Sequence, residues 1–159
     1  MLASHASTDS LADDVIRQYN NGWRGPVIIV GHSLGADAAV SMAARLNEAR
    51  IPVALVVSFG PMTFPRVTAN VAHIINYYQE GGIWHGKVSP GPGFRGKLVN
   101  INLANAPDVT HFNIEKVDRL QDDTIARILG IIGRRSTTAK AGQRPSDGAS
   151  ASSAHRRAD

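Results

Sequence analysis

The residues best suited to chemistry are Gly31-His32-Ser33-Leu34-Gly35, a Gly-x-Ser-x-Gly motif. As a bare pattern it is weak, because glycine and serine are common. Its context sharpens it. A continuous apolar run, Val27-Ile28-Ile29-Val30, precedes it directly, and an alanine-rich segment with Leu34, Met42 and Leu46 at helical spacing follows. Strand, Gly-x-Ser-x-Gly, helix is the arrangement of a nucleophile elbow, which exposes a serine on a tight, strained turn. Flanking glycines are expected to be needed there so that strand and helix do not clash. The serine would stand at a helix N-terminus, where free N–H groups favour negative charge, and the N–H of Leu34 could donate to a developing oxyanion. The competing reading is an ordinary glycine-rich turn capped by serine.

A serine hydroxyl is a poor nucleophile at neutral pH and needs a base. The chain has six histidines. His5 and His155 lie near the ends, and His32 sits inside the motif, where the geometry of the turn should point it away. His73 begins a predicted strand and reads as a buried structural histidine. His85 lies in a glycine-rich loop. His111 follows the last predicted strand and precedes the last predicted helix. Active-site groups of parallel sheets gather at the carboxyl ends of the strands, so His111 is the best base. Between Ser33 and His111 stand four carboxylates, Asp37, Glu48, Glu80 and Asp108. Asp37 reads as a first-turn acid that stabilises the helix dipole, Glu48 lies at the far end of that helix, and Asp108 is close to His111 only in sequence.

The elements that must position these groups follow from periodicity. Helices are predicted over 9–21, 34–49 and 113–132. Strands are predicted at 27–30, 53–59, 74–78 and 97–103, the first two as runs buried on both faces. A short helix or loop is expected at 65–72. Residues 81–97 hold six glycines and two prolines, too many for regular structure. Apolar Ile83, Trp84 and Phe94 in that loop could cover an acyl pocket. Alternating strands and helices define an α/β class with a parallel sheet of about four strands and covering helices.

Composition limits the remaining options. Hydrophobic residues make up 43%, as in a globular domain, and no cysteine is present, which removes disulfides, thiolate metal sites and a cysteine nucleophile. The net charge of +4 belongs to residues 134–159, where six basic residues face two acids. Residues 1–133 are therefore expected to form the folded domain and 134–159 a disordered basic tail. Without a basic cluster on the domain, nucleic acid is not an expected partner. No membrane span, signal peptide, metal constellation or phosphate loop is present, so no cofactor is expected, and the start site as given suggests a cytoplasmic location.

The segment Pro26–Ala44, with Gly-His-Ser-Leu-Gly-Ala-Asp, resembles the α/β-hydrolase superfamily and looks like its bacterial lipase- and thioesterase-like members. Asn76-Tyr77-Tyr78-Gln79 and Val109-Thr110-His111-Phe112-Asn113 are similar to that group as well, and the resemblance covers roughly residues 9–132. It implies a serine hydrolase acting on a small-molecule ester or thioester, with Ser33 as nucleophile, His111 as base and Leu34 in the oxyanion hole. Related enzymes often carry an aspartate in a Phe-Asp-Pro setting where this chain reads Phe59-Gly60-Pro61. Glu80, after the strand that usually precedes the acid, is then the best acid candidate. The four strands correspond to the second half of the superfamily sheet. That correspondence implies an exposed strand edge at 27–30, through which the chain would self-associate. It also raises the alternative of a catalytically inactive hydrolase-like fragment, serving as a binding module or arising from a truncated reading frame.

Overall fold

A computed structural model of the chain describes residues 5–81 and 86–141. Helix α1 spans His5–Asn20, and strand β1, Val27–His32, runs into α2, Leu34–Glu48. Strand β2 is Val53–Phe59, β3 Arg66–Val67, β4 His73–Tyr78, β5 Ser89–Pro90 and β6 Lys97–Asn102. A single 3₁₀ turn, Ile114–Lys116, precedes α3, Asp118–Ala141. The main sheet is parallel throughout, in the order β1-β2-β4-β6, and β3 pairs with β5 in a separate parallel pair.

The four expected strands are thus present, and the class is α/β. Helices α1 and α2 bury Ala12, Ala39, Val40, Ala43 and Leu46 against one face, over Val56 and Ile74. Helix α3 covers the other face, where Leu120 and Ile128 meet Leu55, Val57, Ile75 and Tyr77. Alternation along each strand assigns its residues to one layer or the other.

Helix α2 stops through local chemistry. Arg50 adopts a left-handed φ of 57°, its N–H donates to Asn47 O, and the N–H of Ile51 reaches back to Leu46 O at 2.9 Å. This is a Schellman motif with an arginine where glycine is usual, and Leu46 and Ile51 share the core beneath it.

One row of the sheet is polar. Ser58, Asn76 and Asn100 lie in register on β2, β4 and β6. Ser58 Oγ donates to Asn76 Oδ1 at 2.9 Å, and Asn76 Nδ2 donates to Asn100 Oδ1 at 2.9 Å and to Gly86 O. Asn100 accepts from Val88 N and donates to Val88 O. The amides therefore tether residues 86–88 to the sheet, where Val88 joins the same core layer as α1 and α2.

Several expectations change. Val30 is 48% exposed because β1 is an edge strand, with β2 on one side. His73 is exposed at the start of β4 rather than buried. Residues 65–72 contain β3, not a helix, and 81–97 contain β5. Helix α3 continues past Gly133, so 134–141 are helical, and the rest of the expected tail lies outside the described residues. So do Ile83, Trp84 and His85.

Candidate active site

The sheet is parallel, so the segments leaving β1, β2 and β6 emerge on one edge, and the sheet ladder continues into them. Ser33 N–H donates to Phe59 O at 2.9 Å, and Gly60 N–H donates to Tyr77 O at 2.7 Å. The elbow after β1 and the turn after β2 are thereby held side by side.

Ser33 has φ 58° and ψ −126°, a conformation an L-residue adopts only when its surroundings enforce it, at a cost of roughly 1–3 kcal/mol. The enforcement is visible at Gly31, where a Cβ would run into the carbonyl of Gly35. Gly35 itself is different: a Cβ there meets nothing within 4 Å. Only the first glycine of the motif is sterically required, contrary to the expectation for both. Leu34 opens α2, so its N–H is one of those that helical bonding leaves available.

His111 is 9% exposed and brings Nε2 to 3.0 Å from Ser33 Oγ. For Nε2 to accept the serine proton, the imidazole must carry its own proton on Nδ1. Burial pushes the pKa of His111 below its ordinary value, and charge on His32 adds to that, while the Glu115 carboxylate opposes it. The neutral ring, the form that can act as a base, is favoured near pH 7.

The loop carrying His111 is braced from several directions. Gln79, just after β4, donates to Val109 O at 2.8 Å. Asn113 Oδ1 accepts from Thr110 N at 2.7 Å, and its Nδ2 donates to Asp108 O. Asp108 is ion-paired with Arg119, which lowers its pKa and turns it toward α3.

Glu80 is exposed, and its carboxylate accepts from Asn102 Nδ2 at 3.0 Å. Ser33 and His111 are brought together, whereas Glu80 is set on Asn102. Gly60, with φ 56°, faces the imidazole: a Cβ on it would lie 3.1 Å from His111 Nδ1. Asp37 does more than complement the helix dipole. It accepts from Met62 N at 2.8 Å, from Thr63 N and from the Thr63 hydroxyl, and so fixes the turn that carries Gly60.

Two contributors escaped the sequence reading. His32 does not point away, since its Nε2 lies 2.8 Å from His111 O. Glu115 brings Oε2 to 3.5 Å from the same nitrogen. The sequence signal for Glu115 was only its closeness to His111, and it lies beyond the interval in which an acid was sought. Among the described residues no group of three or more His, Cys, Asp or Glu could hold a metal ion, and no helix is long and apolar enough to cross a membrane.

A scan against protein-family models, a search of curated proteins and a search of solved structures each found no match.

Proposed function

We propose that the chain is a serine hydrolase of the α/β-hydrolase type that cleaves a carboxylic ester or thioester through an acyl-enzyme. The observation that carries this reading is the 3.0 Å contact between Ser33 Oγ and His111 Nε2, made with Ser33 on a strained turn between strand and helix. Ser33 attacks the acyl carbon as His111 takes its proton. The N–H of Leu34 donates to the oxyanion, and His111 then protonates the leaving oxygen or sulfur. Water, activated by the same imidazole, releases the acid. An apolar cleft of about 380 Å³ beside the elbow, walled by Leu11, Val30, Leu34 and Met42, suits an acyl chain.

The test is covalent labelling. A fluorophosphonate probe should modify Ser33, and Ser33→Ala should abolish the modification, with loss of hydrolysis by several orders of magnitude. A folded chain that never labels sinks the reading.

A second reading, an inactive hydrolase-like binding module, is favoured by Gly60, the residue that faces His111 Nδ1 and brings no carboxylate there. On the first reading Gly60→Ala, which sets a Cβ 3.1 Å from His111 Nδ1, should slow labelling by displacing the imidazole. On the second it should not. The exposed backbone edge of β1, with Val30 beside it, further supports self-association of the chain.

A further inference from the structure

We infer that Glu115 and His32 form a carboxylate–imidazole couple that positions His111 through its backbone carbonyl, on the side away from its reacting nitrogen. The inference rests on the site geometry proposed above and assigns roles to two residues outside the serine–histidine pair.

His32 Nε2 lies 2.8 Å from His111 O, and a carbonyl only accepts, so Nε2 of His32 carries hydrogen. Glu115 Oε2 stands 3.5 Å from that same nitrogen and is buried with no hydrogen-bond partner. A buried carboxylate oxygen left without a hydrogen bond is costly, and the polar group set against it is the N–H of His32. The negative charge therefore favours a hydrogen on Nε2, the nitrogen that faces both Glu115 and the His111 carbonyl. The two residues come from opposite sides of the site. His32 is the last residue of β1 and is bonded covalently to Ser33. Glu115 belongs to the 3₁₀ turn that follows the His111 loop. The couple thus ties nucleophile and base together from behind, while the 3.0 Å contact joins them in front.

Among the described residues, two ionisable side chains act on the His111 imidazole, His32 and Glu115. His32 faces it from β1, with ring centroids 5.2 Å apart. Glu115 faces it from the 3₁₀ turn, where Lys116 Nζ lies 3.7 Å from Glu115 Oε1 and is mostly exposed. The elbow contributes the neutral Ser33, and the turn after β2 contributes Gly60. His32 and Glu115 act on the His111 imidazole with opposite sign.

That opposition supplies a test that a merely structural role would not pass. The ring protons of His111 are titrated by NMR in the full chain, and fluorophosphonate labelling of Ser33 is timed in parallel. Glu115→Gln keeps shape and removes the negative charge, so the midpoint of His111 should fall. His32→Gln keeps a donor near the His111 carbonyl and removes the cation, so the midpoint should rise. His32→Ala removes the donor as well, and labelling should slow about tenfold, on the scale of a small misplacement of a base. His32→Gln should restore most of that rate. Opposite shifts with rescue by glutamine support the couple. Unchanged midpoints in both variants, or shifts of the same sign, overturn it. Should Ser33 fail to label in every form, the hydrolase reading falls alone, and the titrations still decide the couple.

Discussion

The two halves of the site are held by different means. The elbow after β1 is specified within a few residues: Gly31 clears the Gly35 carbonyl, and α2 begins at the next residue after Ser33. The His111 loop has no such local code. Its position is imposed by Gln79 after β4, by His32 at the end of β1, and by Asn113 and the Asp108–Arg119 pair along its own course. Removing one residue should therefore destroy the first half, whereas the second should weaken by degrees.

The largest expected effect is at Gly31. Gly31→Ala pushes a methyl group into the carbonyl of Gly35 and should cost about 3 kcal/mol or more, with loss of labelling. Gly35→Ala meets open space on a helix and should keep both fold and labelling. Thermal melts and a probe gel separate the two, and equal damage at both glycines would remove the distinction between them.

The loop should respond less. Gln79→Ala loses the 2.8 Å bond to Val109 O and the longer one to Leu103 O, and should slow labelling severalfold while changing stability by about 1 kcal/mol. Glu80→Gln should change the rate little, because Asn102 holds that carboxylate. A large loss on Glu80→Gln would place the acid there after all.

A pH profile sharpens the same contrast. Only neutral His111 can accept the serine proton, so activity is lost as pH falls through its pKa. Burial, reinforced by charge on His32, lowers that pKa, so the acidic limb should lie below the ordinary histidine range. A limb above that range would mean the base is solvated or is another group.

The smallest effect sits far from the chemistry. Arg50→Gly relieves a left-handed residue at the end of α2 and should raise stability by about 0.5–1 kcal/mol without altering the rate. A drop in the melting temperature would show that the arginine side chain holds something in place.

The same division between local and imposed structure explains what the sequence disclosed. Runs of β-branched residues between glycines and prolines marked β1 and β2, and the elbow was readable because strand, motif and helix are contiguous. His111 was readable because the topology of a parallel sheet sends strand ends to one edge. The two-residue strands β3 and β5 were not, since each exists only through the other. The apolar run did not disclose the exposure of Val30, because it has the same composition in the middle of a sheet as at its edge; only the resemblance implied an edge there. His32 and Glu115 meet from positions far apart in the sequence, and neither carries a periodic signal.

The row formed by Ser58, Asn76 and Asn100 works as an alignment key. A strand that slips by one residue turns its apolar side chains to the wrong layer, and burial alone forbids that. A slip of two residues keeps every side chain on its proper face, so aliphatic packing would resist it only weakly. The amides would not tolerate it. Shifted by two into the place of Ile74, Asn76 would stand between Val56 and Leu98 with its donors and acceptor unanswered, at roughly 1–3 kcal/mol for each stranded group. Three polar residues therefore do for the sheet what a notch does for a key blank: they leave a greasy stack of strands with one setting in which it turns. Because Ser33 and His111 hang from the ends of the outermost strands, that single setting is also what brings them within 3.0 Å of one another.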